Sequence, residues 1–260
     1  MIPERRCQLY ISTAGAVDEG RWQGHIVAEM DISDRLTPLK GLPIGLVANP
    51  GGLAGIWAVE NSRDALFESL KRREVFGTTG PRILPRFFGG WAYAEDVCQS
   101  PEIIETGYAD GVPMGADFPA RSSNNSPRFI ALATRDPESS PLQRLQIIKG
   151  WIDAADKTHY KVFDVAGDDG SGGTINLETG VWSGRGRSSL CSVFEDPEFD
   201  ANQPSYYYMR AVEVPSLRWS WRQCVELPPS DRPPECENDA PKVTQELAWT
   251  SPVWYLPKEL

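Results

Sequence analysis

Histidines, paired carboxylates, hydroxyl clusters and cysteines are the side chains with which this chain could do chemistry, and few of them stand at a productive spacing. The two histidines, His25 and His159, are 134 positions apart, and no HxH, HxxE or HExxH pattern occurs. A metal site built by this chain alone would therefore rest on carboxylates. His25 lies in RWQGHIV, a glycine-containing stretch read as irregular. Loops carry function more often than regular elements do, so His25 is the candidate catalytic residue. His159 precedes an alternating run, Tyr160 to Val165, and reads as a strand-edge residue. Asp168 and Asp169 in GDDGSGG look like part of a calcium loop, but the alternating acids and the distal Glu are missing, so a solvated turn is expected. Gly77-Thr78-Thr79-Gly80 is too short to cradle a phosphate, and no Lys-Ser/Thr pair follows it. Its expected role is a tight hinge with the Thr hydroxyls bonded to local backbone. Ser188, Ser189 and Ser192 have neither a GxSxG setting nor a histidine at recognisable spacing. Trp91, Trp151, Trp182, Trp219, Trp221, Trp249 and Trp254 would form a sugar-stacking platform if exposed, although strand-borne Trp is more often packing.

The elements that would position these residues follow from composition and period. The 260 residues carry 40% hydrophobic and 24% charged side chains, with a formal charge of −10. That charge argues against nucleic acid as a partner, because phosphate binding needs clustered Lys and Arg. The densest basic run, Lys71-Arg72-Arg73, ends a predicted helix, where cations complement the dipole. No apolar run approaches the ~20 residues of a membrane span, and MIPERRCQLYISTAG shows no apolar signal core. The abundance of Trp, Tyr and Phe among 22 Pro and 23 Gly points to β-structure broken by many turns. The five cysteines form no CxxC pair. Cys224 and Cys236 bracket a Pro-rich loop and read equally as a disulfide or as two reduced thiols, which leaves the compartment open.

Residues 1–48 show no sustained period and read as irregular. Leu53, Ile56 and Trp57 suit a buried strand. A helix is expected over about 61–75, with Asn61 as N-cap and Asp64 three residues on. Its apolar stripe would be Ala65, Leu66, Leu70 and Val75, and Gly77 would stop it in a left-handed cap. Beyond Pro81 the period becomes two. Ile83–Phe88, Phe129–Thr134, Leu145–Ile152, Tyr160–Ala166, Tyr206–Val214 and Val253–Leu256 read as strands. Pro85 suggests an edge or bulge. Aromatics on both faces make Tyr206–Val214 a central strand covered on both sides. No helix of crossover length joins these strands, so an antiparallel sandwich of two sheets is expected over 85–260.

The blocks GGLAGIWAVENSRDALFESLKRREVFGTTGPRI, RFFGGW, GYADGVPMGADFP, LQRLQIIKGWID, SYYYMRAVEVPSLRWS and TQELAWTSPVWY, spread over residues 49–257, resemble the bacterial domain-of-unknown-function 3604 family. That family is similar to metal-dependent hydrolases of the polymerase-and-histidinol-phosphatase (PHP) type. In these, a distorted β/α barrel carries metal ions on His and Asp/Glu ligands and activates water against a phosphoester. The resemblance implies divalent metal ions for the intact family, on an HxH motif and a late Asp-x-His motif. Neither motif is present here, so no cofactor is assigned to this chain. ISTAGAVDE, at residues 11–19, resembles the segment just after the late motif.

The expected architecture is mainly β (α+β): an irregular segment at 1–48, the last strand and helix of a barrel-like unit at 49–84, and the sandwich. The expected function is the C-terminal fragment of a PHP-like phosphoesterase, inactive alone. In the intact relative, His25 and the GTTGPR hinge would lie nearest the barrel mouth, which makes Thr78, Thr79 and Arg82 the candidate binding residues. Helix residues Leu66 and Leu70, together with Trp57, would be orphaned and favour a homodimer, with neither nucleic acid nor membrane as partner. The alternative is an autonomous β-sandwich that binds carbohydrate or protein through its aromatics. A third reading is a self-sufficient hydrolase using carboxylates and His25. For intact relatives a periplasmic or extracellular location is compatible with these features.

Overall fold

The computed structural model describes residues 7–12, 32, 36, 52–121, 124–168, 173–237 and 241–257. Alternating apolar side chains from 53 onward build two antiparallel sheets. The larger has eight strands in the order β1 (Cys7–Ser12), β2 (Leu53–Ala58), β3 (Val75–Thr78), β13 (Leu247–Thr250), β10 (Ser205–Glu213), β7 (Leu142–Ile152) and β8 (Thr158–Gly167), with β14 (Val253–Tyr255) also paired to β10. The smaller runs β5 (Gly111–Pro113), β4 (Leu84–Gly90), β6 (Arg128–Thr134) and β9 (Ser189–Glu195). A two-stranded ribbon joins β11 (Ser216–Leu217) to β12 (Val243–Thr244).

The sheets pack face to face, as period-two strands with one apolar face must. Phe87, Phe129 and Ala131 from the small sheet meet Leu145, Ile147, Tyr207 and Met209 from the large one, and all seven are fully buried. Phe129 is the centre, with rings of Phe87 at 5.3 Å, Tyr207 at 4.5 Å and Phe118 at 5.6 Å. The mainly β, antiparallel sandwich is therefore as expected. The segment expected as a barrel remnant supplies β2 and β3 of the large sheet: β3 pairs with β13, and β2 pairs with β3. Strand β1 falls within the stretch read as irregular and pairs with β2 over six residues.

Helix α1 spans Arg63–Lys71 and is shorter than the expected 61–75. Ser62, not Asn61, is the N-cap, its hydroxyl accepting from Ala65 N at 3.3 Å. The helix ends at Lys71 with Arg72 as C-cap, and Arg73 just beyond takes the left-handed conformation at φ 62°. Gly77 is no cap: it sits inside β3, opposite Ala54 and Trp249. The helix face toward the sheet is centred on fully buried Ser69, flanked by Ala65 and Leu66, while Phe67 and Leu70 are 62% and 51% exposed. Of the three residues expected to be orphaned, Trp57 is buried and donates to Pro85 O at 3.0 Å, Leu66 is half-buried and only Leu70 is exposed.

Of two short helices, α2 (Ile103–Ala109) packs Ile103, Ile104 and Tyr108 against Phe88 and Ile130 on the outer face of the small sheet, and α3 (Trp219–Glu226) packs Trp221 and Cys224 with Leu217 in a separate small cluster. Pro85 pairs with Ala133 of β6 on a part of β4 that β5 does not reach, so it occupies an edge as its missing N–H requires. Disulfides join Cys98 to Cys191, tying the small sheet to its flanking turn, and Cys224 to Cys236, tying α3 to the Pro-rich loop. The second resolves the alternative left open by the spacing.

Candidate functional site

Register in the large sheet places one set of side chains in rows on its outer face. Tyr160 of β8 stands opposite Gly150 of β7, which stands opposite Tyr206 of β10, which stands opposite Trp254 of β14. The next row is Val162, Ile148 and Tyr208, and the next is Asp164, Gln146, Arg210 and Trp249. Strand geometry alone puts these residues on one face, since every second side chain points the same way.

The expectation that Tyr206–Val214 is covered on both faces holds fully for the inner face and in part for the outer one, where Val212 and the neighbouring Ile148 and Gln146 are buried. Tyr207, Met209 and Ala211 are fully buried in the core, whereas Tyr206, Tyr208 and Arg210 are half-buried. Tyr160 is 77% exposed and Trp254 36%. The rings are ordered: Tyr206 and Tyr208 are stacked, 12° from parallel with centroids 6.4 Å apart, and Trp254 is 5.3 Å from Tyr206 and tilted 48° to it. Gly150 makes this packing workable. A Cβ there would lie 2.3 Å from Cζ of Tyr206, so the ring rests on bare backbone. Beside the aromatic rows runs a polar one. Arg210 Nε donates to Gln146 Oε1 at 2.8 Å, Gln146 Nε2 donates to Asp164 Oδ1 at 2.7 Å, and Arg144 lies 3.6 Å from Asp164. The arrangement offers flat apolar surfaces next to fixed donors and acceptors, which is what a ligand with alternating C–H faces and hydroxyl rims requires.

The candidate binding residues from the sequence lie elsewhere, at one end of the sandwich. Thr78 closes β3, and its hydroxyl accepts from Gly80 N at 3.2 Å. Thr79 Oγ1 donates to the Glu246 carboxylate and accepts from Leu247 N. Arg82 uses its backbone N–H to bind Asp136 Oδ2 at 2.7 Å. These contacts stitch the segment to β13 and to the β6–β7 turn. They surround a buried carboxyl, Glu213, whose Oε2 accepts from Ser139 at 2.6 Å while Oε1 has no hydrogen-bond partner. Burial, reinforced by the nearby Glu246 and Asp136 charges and offset in part by Ser139, pushes the Glu213 carboxyl up to about 7. Burial also raises Glu246, with Thr79 and Arg218 opposing.

Two further polar networks are internal. Lys149 donates to Asp196 Oδ2 at 2.6 Å and to Glu198 O at 2.7 Å, and Tyr207 donates to the same Asp196 oxygen at 2.7 Å. Glu74 accepts from Tyr108, which in turn accepts from Arg86 at 3.0 Å. Both are enclosed and give a substrate no approach. His159 sits at the start of β8, where Nε2 is 2.7 Å from Asp153 Oδ2 and the ring stacks on Trp151 at 5.3 Å. His25 and Asp169 lie outside the described residues. Ser189 and Ser192 are borne on β9. Among the described residues, no group of three or more His, Cys, Asp or Glu side chains is placed to hold a metal ion, and no helix is long and apolar enough to cross a membrane.

Of the tryptophans considered as a platform, Trp91 and Trp221 are buried packing and Trp254 is on the exposed face. The tyrosines of that face were missed. Their signal is period two within SYYYMR and THYKVF, which puts Tyr206 with Tyr208 and Tyr160 with Val162. No curated protein and no solved structure matches the chain. A family model matches residues 10–257, nearly the whole sequence, and the chain belongs to the family described as Protein of unknown function (DUF3604).

Proposed function

We propose that this chain is a glycan-binding β-sandwich whose binding surface is the outer face of the large sheet. The observation that carries the reading is the row Tyr160, Gly150, Tyr206 and Trp254 lying beside the Arg210–Gln146–Asp164 chain. Three strand spacings separate the ends of that row, about 14 Å at about 4.8 Å each, the length of roughly three pyranose rings. Sugar C–H faces would stack on the rings, and hydroxyls would exchange hydrogen bonds with the polar row. Binding of the protein to an array of soluble and insoluble glycans tests this, with Gly150→Val as the comparison. The valine drives Tyr206 off its seat, so at least tenfold weaker binding is expected. No retained glycan, or equal retention by Gly150→Val, would overturn the reading.

The phosphoesterase-type reading accompanies it as a proposal. On the PHP resemblance, the hydrolytic centre belongs to the His and Asp/Glu motifs that this sequence lacks, and the sandwich holds polymer beside it while being inactive alone. Metal analysis after dialysis, with a phosphodiesterase assay on the same sample, is expected to give no metal and no turnover. Stoichiometric Mn, Fe or Zn with turnover would place a hydrolytic centre on this chain. Two disulfides favour an oxidising compartment, periplasmic or extracellular. Exposed Phe67, Leu70 and Val59 on and beside α1 favour a homodimer through that helix.

A further inference from the structure

A groove of about 600 Å³ opens at the other end of the molecule from the aromatic rows, within the range usual for small-molecule sites. Its walls are the β6–β7 turn (Ser139, Ser140), the turn carrying Trp182, the start of β11 (Ser216) and α3 (Arg222). These walls are tied down. Leu142 and Arg187 exchange two backbone hydrogen bonds of 2.8 and 2.9 Å, and Val214 N donates to Pro141 O at 2.9 Å. The Trp182 indole donates to Arg185 O at 3.1 Å, and Gly173 and Gly184 lie so close to its ring that a Cβ at either would collide. Gly186 allows the turn to approach Pro141, since a Cβ there would stand 2.5 Å from that ring. A site whose rim is fixed by backbone hydrogen bonds binds without first ordering loops.

We propose that this groove is a second ligand site, independent of the sheet face, that takes a compact, neutral, polyhydroxylated molecule of one or two sugar rings. The hydrogen-bonding capacity of the lining selects that class. The single hydroxyl hydrogen of Ser139 is committed to Glu213 at 2.6 Å, so toward the groove Ser139 offers lone pairs to a ligand hydroxyl. Ser140 and Ser216 add hydroxyls able to donate or accept. Arg222 supplies only donors and Glu138 only acceptors. Their opposite charges give the groove no net preference for either sign of ion, and its hydroxyls, donors and acceptors match a neutral ligand with many hydroxyls. The apolar patch of Trp182 and Val214 suits a ring C–H face.

Calorimetric titration of the full chain with a panel of neutral monosaccharides and disaccharides tests the site. At least one is expected to bind with unit stoichiometry, and at least tenfold more weakly to Ser216→Trp, which fills the groove, and to Arg222→Ala. Arg222 is exposed, so its variant remains readable if the tryptophan variant fails to fold. A longer glycan held at the sheet face is expected to remain bound when the small sugar is added. The proposal is overturned if no panel member binds at about 10 mM, if Arg222→Ala binds as the parent does, or if the small sugar and the long glycan compete strictly. Strict competition would leave the sheet face as the single site, whereas loss of long-glycan binding alone would refute only the sheet-face reading.

Discussion

Replacing Glu213 by glutamine should remove most of the pH dependence of stability near neutrality. The carboxyl is fully buried at the end of β10, receives one hydrogen bond from Ser139, and is pushed from its ordinary 4.5 up to about 7, chiefly by burial. A carboxyl whose folded-state value lies above its unfolded one binds its proton more tightly when folded. Its contribution is therefore present below about 4.5 and is lost as pH rises toward and past 7. The gap of about 2.5 pH units is worth about 3 kcal/mol. For a chain of this size that corresponds to a fall in Tm of roughly 6–12 °C between pH 5 and pH 8. Burial raises Glu246 as well, so it adds to the slope in the same direction. Asp153 is lowered by its His159 hydrogen bond, so its contribution is lost only as pH falls through the acid range, outside this window. Calorimetric melts of parent and Glu213→Gln at half-unit steps from pH 5 to 8 read the effect. The variant should melt with a shallow residual slope and be the more stable of the two at pH 8. Parallel curves, or a parent that gains stability as pH rises, would refute the reasoning.

Three other perturbations follow from the same interior. Asp196→Ala leaves Lys149 buried without its carboxylate and should cost about 3–5 kcal/mol in urea unfolding, while the conservative Lys149→Met/Asp196→Leu pair should recover part of the loss. Reducing the disulfides should lower Tm, and Cys98→Ser should cost more than Cys236→Ser, about 4–5 against about 3 kcal/mol, because the closed loops span 93 and 12 residues. Phe67→Glu with Leu70→Glu should leave the fold intact, since both side chains are mostly exposed, and should turn a sedimenting dimer into a monomer. A parent that sediments as a monomer would remove the homodimer proposal.

The strands were readable because their chemistry is local. In β10 the alternation of Tyr207, Met209 and Ala211 with Tyr206, Tyr208 and Arg210 is visible in nine letters, and the sandwich follows from several such runs without crossover helices. Strand β9 was not readable: in SLCSVFE, apolar and small residues fall on both faces, so the period is blurred. The end of α1 misled because glycine is the usual left-handed cap, whereas Arg73 took that role and Gly77 passed into a strand. The site was less legible still. That Tyr160, Gly150, Tyr206 and Trp254 form one row depends on register across four strands, and nothing in any single segment encodes it. Thr79 with Glu246 and Arg82 with Asp136 are 167 and 54 positions apart, contacts that only the closed sandwich creates.

The central claim is that the aromatic face holds a glycan. Calorimetric titration with a soluble oligosaccharide of three or more rings, on the parent and on Tyr160→Ala, Tyr206→Ala and Trp254→Ala, tests it directly. The predicted result is saturable binding by the parent and a loss of at least tenfold, about 1.4 kcal/mol, in each variant with its melt unchanged. Binding that survives all three substitutions, or its absence from the parent across the glycans tried, would contradict the account.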